Sequence, residues 1–184
     1  MKKIEYLIGV ILITFLLTNC QKEKDTTFLI TQESVGKINK TSLVSDLETI
    51  YALDSIIKDT TSISIGTLVD KIQVYEKGGK HLLTLTPNKD SVPTIENIRV
   101  YDPRFVTENG IGLNSTFKDI KDKYTIQKII VSINNLVILI KDSPVYFTID
   151  KQELPSSLRY GVSNIEAVQI PDEATIKYLM IGWE

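Results

Sequence analysis

The stretch KIQVYEKGGKHLLTLT (residues 71–86) decides the predicted fold. Apolar and polar residues alternate on both sides of its centre, with Ile72 and Val74 before it and the segment from His81 to Thr86 after it. A period of two is typical of a strand that buries one face. Gly78-Gly79 supplies a turn that accepts positive φ, so the stretch predicts a β-hairpin.

Strands are also predicted on both sides of this hairpin. They cover residues 28–30 with 35–38, 56–57, 63–65, 95–100, 129–133, 136–140, 145–150, 164–170 and 174–183. Asn134-Asn135 joins two of them as a second hairpin, because asparagine tolerates positive φ. Residues 154–160 are predicted to form one irregular helical turn.

Two short helices interrupt the strands. The first follows Thr41 or Ser42 as N-cap and places apolar residues at helical spacing from Leu43 to Tyr51. The second covers Phe117 to Tyr124, and Thr116 with Asp119 forms a capping box before it. We therefore expect an α+β fold: a β-dominated antiparallel sheet, either open or curved and partly closed, with two short helices packed on it.

The amino-terminal segment has the order of a secretory signal peptide. Lys2 and Lys3 precede an apolar run from Tyr6 to Leu17, and the residues after Cys20 are abruptly polar. The run is too short to span a bilayer comfortably. These features predict a signal peptide over 1–19, a lipidated tether over 20–27 and a single domain over 28–184.

Cys20 is the sole cysteine of the chain. Leu16-Leu17-Thr18-Asn19-Cys20 resembles the lipobox of bacterial lipoproteins, although Asn19 stands where that family usually has Gly, Ala or Ser. The resemblance implies that the thiol of Cys20 receives a diacylglyceryl group and that the new amino terminus is acylated. Two or more acyl chains anchor a protein stably in a membrane. An ordinary signal peptide or an uncleaved anchor is the alternative.

Composition limits the partners. The 184 residues carry a formal net charge of −2, and a weakly acidic domain is a poor ligand for nucleic acid. One histidine and one cysteine make a zinc site improbable, so no metal or cofactor is expected. The expected partners are the membrane, through the anchor, and an envelope protein. The resemblance to lipoproteins also implies a location, because an acidic residue directly after the cysteine retains such proteins at the inner membrane in some bacteria. Gln21 stands at that position here, which favours the outer membrane.

Few residues suggest catalysis. His81, the sole histidine, lies beside a hairpin turn, and no Gly-x-Ser-x-Gly elbow accompanies it. We expect a solvated residue at the start of a strand. Asp119 and Asp122 share a helix face with three lysines, so a solvated face is expected there rather than a site for glycosidic chemistry or calcium. No catalytic residue is assigned.

The candidate binding loop comprises Asp102, Arg104, Glu108 and Asn109. These residues lie around Pro103 and Gly110 in a segment whose geometry suits a binding site or a simple corner. Aromatic residues offer a second surface, which either stacks on sugar or packs at sheet faces. They are Tyr75, Tyr101, Tyr146, Tyr160 and Trp183.

Two internal similarities stand out. Ile30-Thr31 with Gly36 echoes Val106-Thr107 with Gly112, because each glycine follows its threonine by five residues and a short helix comes next. Two independent strand-turn-helix joints explain the echo, and a true duplication is the alternative. Residues 71–124, through Gly78-Gly79 and Tyr101-Asp102, also loosely resemble uncharacterised envelope lipoproteins of Bacteroidetes-type bacteria, a resemblance that implies no activity.

Three functions follow as alternatives. The first is a non-enzymatic, membrane-anchored envelope lipoprotein that binds another protein or a cell-surface component. The second is an envelope hydrolase that uses carboxylates, and the third is a carrier of an apolar ligand. The first is preferred because the anchor is the strongest signal and no active-site pattern is present.

Overall fold

The computed structural model of the protein describes residues 25–59, 63–64, 67–68, 70–161 and 164–183. The predicted signal peptide, Cys20 and the first part of the tether lie outside these residues. At 63–64 and 67–68 the description covers the backbone.

An eight-stranded antiparallel sheet forms the body of the described chain. In spatial order its strands are β11 (Ile126–Val131), β12 (Asn135–Ile140), β13 (Val145–Asp150), β14 (Ile176–Gly182), β9 (Ile95–Val100), β8 (His81–Pro87), β7 (Lys71–Tyr75) and β4 (Ser55–Asp59). Closure into a barrel would require β11 to pair with β4, and the described strands contain no such pairing. The β-dominated class is confirmed, and the described sheets are not closed.

A smaller, mixed sheet was not predicted. Its strands, in spatial order, are β10 (Val106–Thr107), β1 (Leu29–Ile30), β2 (Ser34–Val35) and β3 (Ile38–Asn39). β1 pairs with β10 in parallel, and the other two pairings are antiparallel. Strands β5 (Ile63–Ser64) and β6 (Thr67–Leu68) form a separate two-stranded pair.

The helices are few and short. Helix α1 (Leu47–Ile50) follows a 3₁₀ turn at Val44–Asp46, so the predicted helix up to Tyr51 is present in shorter form. Helix α2 (Phe117–Lys123) begins with the predicted capping box between Thr116 and Asp119. Further 3₁₀ turns lie at Lys151–Glu153, Ser156–Leu158 and Ala167–Gln169.

One face of the large sheet is apolar and buried. Strand alternation places Val74, Leu83, Ile98, Phe147 and Leu179 on this inner face, each with 0% of its surface exposed. Fully burying such a side chain contributes roughly 1.5–3 kcal/mol. Apolar residues outside the sheet complete the same core, among them Ile38, Leu47, Phe105, Phe117, Ile120 and Leu154. The opposite face, called the outer face below, carries the polar and aromatic side chains of the same strands.

Both predicted hairpins are present, although neither Asn134 nor Asn135 adopts the positive φ expected for the second turn. Gly78 and Gly79 have φ values of 113° and 90° in the turn between β7 and β8, a conformation that glycine adopts without strain. The second turn spans 132–135, where the amide of Asn135 donates to Ser132 Oγ at 3.2 Å. Ile133, predicted within a strand, therefore lies in this turn with 89% of its surface exposed.

The strand predicted over 164–170 is wrong. Ile165 and Ile170 are buried, but Val168 between them is 85% exposed, so the segment does not alternate between two faces. Glu166 and Gln169 instead form a capping box around the 3₁₀ turn at Ala167–Gln169. Two buried isoleucines five residues apart anchor a turn rather than a strand.

The echoed segments lie side by side in the small sheet. Thr31 Oγ1 accepts a hydrogen bond from the amide of Ser34 at 2.9 Å, and Thr107 Oγ1 accepts one from the amide of Ile111 at 3.1 Å. A Cβ at Gly36, whose φ is 55°, would lie 2.5 Å from Thr27 O, and one at Gly112 would lie 2.8 Å from Phe105 O. Close backbone approach thus requires glycine at both positions.

Candidate functional site

Asp102 is the centre of an ion cluster formed by Glu76, Lys80, Asp102 and Arg104. The residue lies two positions after the end of β9 and is fully buried. Its carboxylate accepts hydrogen bonds from the Arg104 amide at 2.9 Å and from Arg104 Nη2 at 2.6 Å. Lys80 Nζ lies 3.1 Å from Asp102 Oδ2. Both oxygens of this buried carboxylate are therefore paired within the protein.

Arg104 is equally occupied. Its Nη1 and Nη2 donate to the two carboxylate oxygens of Glu76 at 3.0 and 2.8 Å. Its Nε donates to Asp102, and the guanidinium carbon lies 4.1 Å from the ring centroid of Phe28. Bidentate pairing of this kind is strong and geometrically specific. It joins the β7–β8 turn to the chain that leaves β9.

Electrostatics keeps the ion cluster charged. Burial alone would raise the pKa of Asp102, but hydrogen bonds from Arg104 and Lys80 outweigh it and lower that pKa to about 2. The hydrogen bonds to Asp102 and then to Glu76 raise the pKa of Arg104. The cluster is thus a set of opposite charges that stabilises the corner after β9.

The structure separates the two halves of the candidate binding loop. Asp102 and Arg104 belong to the ion cluster, whereas Glu108 and Asn109 occupy an exposed turn after β10, before Gly110 with φ of 78°. The hydrogen bonds and ion pairs of the described residues do not connect the side chains of the two halves. Binding by Glu108 and Asn109 stays a prediction.

A row of stacked side chains crosses the outer face beside this cluster. The ring of His81 lies between the rings of Tyr75 and Tyr101, with centroid distances of 4.6 and 3.9 Å and interplanar angles of 21° and 18°. The guanidinium of Arg99 continues the row, 4.7 Å from the Tyr101 centroid and 3.7 Å from that of Tyr178. We call these five residues the stacked row. They come from strands β7, β8, β9 and β14 and from Tyr101 just after β9.

Strand register explains the row. Tyr75 pairs with His81 across β7 and β8 after a bulge, and Arg99 pairs with Thr84 on one side and Met180 on the other. Directly opposed and diagonal side chains on one sheet face lie within reach of aromatic and long side chains. The row is therefore fixed by backbone pairing rather than by a flexible loop.

Other outer-face residues are held by hydrogen bonds. Tyr75 donates through its hydroxyl to Gln73 Oε1 at 2.6 Å, and Asn97 Nδ2 donates to the Tyr146 hydroxyl at 2.6 Å. Tyr146 pairs with Met180 across β13 and β14. Of the aromatic residues singled out from the sequence, the structure brings Tyr75, Tyr101 and Tyr146 to this face. Trp183 is buried, with its indole donating to Gln32 O at 3.1 Å, and Tyr160 is 77% exposed.

His81 begins strand β8 as expected, but it is stacked rather than freely solvated. Its Nε2 lies 3.1 Å from Leu83 O and 3.1 Å from Thr84 Oγ1. Burial, followed by the charge of Arg99, lowers its pKa and outweighs the hydrogen bond to Leu83. Among the described hydrogen bonds of His81 there is none to a carboxylate, so the orienting partner of a catalytic triad is not in place.

Asp119 and Asp122, the carboxylates considered for hydrolysis or calcium, have structural partners, and so do Asp150 and Asp172. Asp119 caps helix α2, Asp122 pairs with Lys118, and Asp172 pairs with Lys121. Asp150 lies 2.7 Å from Lys177 Nζ. Each acid thus neutralises a neighbouring cation or a helix terminus.

Two further kinds of site, for a metal ion and for a membrane, can be assessed over the described residues. Over the described residues, no group of three or more His, Cys, Asp or Glu side chains is arranged to hold a metal ion. None of the described helices is both long and apolar enough to cross a membrane.

One surface groove, of about 460 Å³, has a largely polar lining and lies where the turn after β1 meets the end of β14. Its walls include Gln32, Glu33, Lys40 and Asp142 together with Trp183. Ligand pockets for apolar molecules are lined predominantly by apolar side chains, so this groove does not suit the carrier function.

Comparison with known proteins gives a single kind of similarity, that of fold. No protein-family model matches the sequence, and no curated protein matches it either. The fold is similar to the crystal structure of the uncharacterized protein yfeY from Escherichia coli, with a TM-score of 0.55 and 13% sequence identity. The match covers 84% of this chain and 99% of that one. At this identity it shows a shared fold alone.

Sequence analysis missed Arg99 and Tyr178. Both lie in predicted strands, so the signal was their period-two placement on the same side as Tyr75 and Tyr101. Using that signal requires knowing that β9 and β14, far apart in the chain, are neighbours.

Proposed function

We propose that this protein is a membrane-anchored envelope lipoprotein that binds another protein through the outer face of its large sheet. The stacked row carries this proposal. Tyrosine and arginine are enriched where protein interfaces concentrate their binding energy, and charged residues other than arginine are depleted there. Tyr75, Tyr101, Tyr178 and Arg99 provide that composition on one rigid surface.

Geometry favours a protein ligand over a stacked sugar. Sugars bind aromatic residues through the ring faces, but the faces of His81 and Tyr101 are covered by their neighbours in the row. These two rings at the centre of the row thus present edges rather than open platforms. Such amphipathic edges suit contact with a protein surface, where hydrogen bonds and apolar packing alternate.

The proposal includes the packing of both helices on the inner face, which leaves the outer face for a partner. Burial of Leu47 in α1 and of Phe117 and Ile120 in α2 supports this arrangement. The ring of Tyr124, which follows α2, lies 6.1 Å from that of Phe147 on the inner face of β13.

Anchoring is the other half of the proposal. Lipidation of Cys20 after removal of 1–19 would hold the domain close to the membrane, because the tether is short. We favour the outer membrane on the ground of Gln21. Incorporation of an alkyne-labelled fatty acid into the wild type and not into Cys20→Ala tests the anchor directly.

Photo-crosslinking in intact cells tests the binding face. A benzophenone amino acid replaces Met180, which lies on the outer face opposite Arg99 without belonging to the stacked row. The same amino acid at Val168, exposed in the 3₁₀ turn at Ala167–Gln169 and not on a strand of the sheet, is the matched control. A discrete protein adduct at 180 and not at 168 is expected. Equal adducts at both positions, or none at 180, would refute binding through this face.

A further inference from the structure

We propose that the outer face binds an acidic protein segment, with an aspartate or glutamate carboxylate of that segment hydrogen-bonded to the guanidinium of Arg99. The inference rests on the proposed protein-binding function and names the chemistry of its partner.

The arginines of this chain differ in how their donors are used. A guanidinium offers five N–H donors and no acceptor. Arg104 donates to two carboxylates, and Arg159 Nε donates to Leu154 O at 2.8 Å. Arg99 makes no hydrogen bond or ion pair within residues 25–59, 70–161 and 164–183. Its donors are therefore available to a ligand.

Arg99 is nevertheless held in place. Tyr178 and Tyr101 bracket the guanidinium at 3.7 and 4.7 Å, and the side chain is half-buried. Stacking on aromatic rings fixes the plane of the fork, so less conformational freedom is lost when a carboxylate binds. A fixed fork with unused donors matches a carboxylate in both charge and geometry.

The other cations of the face are paired with an acid or lie on other strands. Lys177 is paired with Asp150, and Lys71 lies on β7, which β8 separates from β9. Lys128 lies on the edge strand β11, separated from β9 by three strands. Arg99 is thus an uncompensated positive charge at the centre of the face, in a chain whose net charge is −2. Charge complementarity selects a negative partner.

The partner's carboxylate could belong to a protein or to an acidic sugar. We favour a protein because the faces of Tyr101 and Tyr178 nearest to Arg99 already contact its guanidinium, so they are closed to a stacked sugar ring. An acidic peptide needs only the guanidinium donors and apolar contact beside them.

Arginine side-chain NMR of the full-length protein in detergent tests the inference. Its three arginines give three Nε–Hε signals, and those of Arg104 and Arg159 are internal controls because their Nε groups already donate within the fold. The probe is a blocked peptide of alternating glutamate and leucine. The control probe replaces each glutamate by glutamine, and a galacturonate oligomer supplies sugar carboxylates.

We expect the Arg99 signal to shift with the glutamate peptide and not with the glutamine peptide. Arg99→Gln should weaken binding of the glutamate peptide about tenfold or more, as loss of a hydrogen bond between charged groups implies. Lys128→Gln, which removes one positive charge from the same sheet, should leave that affinity unchanged. Arg99→Lys keeps the charge but loses the planar fork, so its affinity for the glutamate peptide should lie between those of Arg99→Gln and Lys128→Gln.

Three results would overturn the inference. The first is that the Arg99 signal does not shift with the glutamate peptide. The second is that Arg99→Gln and Lys128→Gln lose affinity for this peptide equally. The third is that the galacturonate oligomer binds more tightly than the peptide. Failure here is distinct from failure of the proposed function. If position 180 still crosslinks to a protein and Arg99→Gln leaves that adduct unchanged, protein binding stands and the carboxylate contact does not.

Discussion

Arg99 lies in strand β9 and Arg104 in the loop that follows it, yet their guanidinium groups have different partners. Each guanidinium lies against an aromatic ring, Phe28 for Arg104 and Tyr178 for Arg99. The N–H groups of Arg104 donate to Asp102 and Glu76 inside the ion cluster. Those of Arg99 make no hydrogen bond within the described residues. The comparison teaches that donor use, rather than residue type or position in a polar loop, separates a structural arginine from a candidate recognition residue.

The largest expected effect comes from the ion cluster. Asp102→Asn should lower the free energy of unfolding by about 2–3 kcal/mol, because the buried carboxylate accepts charge-assisted hydrogen bonds from Arg104 and Lys80 that a neutral amide cannot replace. Urea denaturation followed by circular dichroism measures the change. Asp122→Asn, which removes an exposed i,i+4 pair with Lys118, is the control and should cost little. Equal losses in the two variants would show that the ion cluster is not structural.

Acid should reveal the same cluster. The pKa of Asp102 is about 2 in the folded protein against 3.8 ordinarily, so the carboxylate contributes stability above pH 3.8 and loses it as pH falls towards 2. The shift corresponds to about 2 kcal/mol. Unfolding free energies measured from pH 5 to pH 2 should fall more steeply in the wild type than in Asp102→Asn. Parallel curves would contradict the assignment.

A matched pair of arginine variants compares the two regions directly. Arg99→Gln removes contacts with two rings and should cost about 0.5–1 kcal/mol of stability. Arg104→Gln should cost more, because it leaves the buried Asp102 carboxylate short of donors. Crosslinking at position 180 should show the reverse order, with the larger loss in Arg99→Gln. If Arg104→Gln reduced the adduct more at equal expression, the division of roles would be wrong.

The same contrast explains what the sequence could and could not predict. Both hairpins and the capping box before α2 depend on residues adjacent in the chain, namely Gly78-Gly79, Asn134-Asn135 and Thr116 with Asp119, and all three are confirmed. The stacked row depends on β14 pairing with β9, a contact between distant segments that alternation alone does not specify. The polar spacing around Pro103 drew attention to Asp102 and Arg104. Local spacing cannot show that their hydrogen bonds are already satisfied.

The smallest effect concerns His81, the neighbour of Tyr101 in the stacked row. Burial and the charge of Arg99 lower its pKa below the ordinary 6.5, so folding favours the neutral ring and stability falls slightly as pH drops through the interval between the two values. NMR titration of this sole histidine should show the lowered pKa. Arg99→Gln should raise it towards 6.5, and Lys128→Gln should leave it unchanged.

His81 also reports on the partner. A carboxylate that pairs with Arg99 offsets the positive charge that disfavours the imidazolium, so the glutamate peptide should raise the pKa of His81 in the wild type. The glutamine peptide should not raise it, and Arg99→Gln should abolish the response. A pKa that rises equally with both peptides would mean that binding changes the burial of the ring rather than the charge beside it. The outer face would then recognise shape and apolar area instead of a carboxylate.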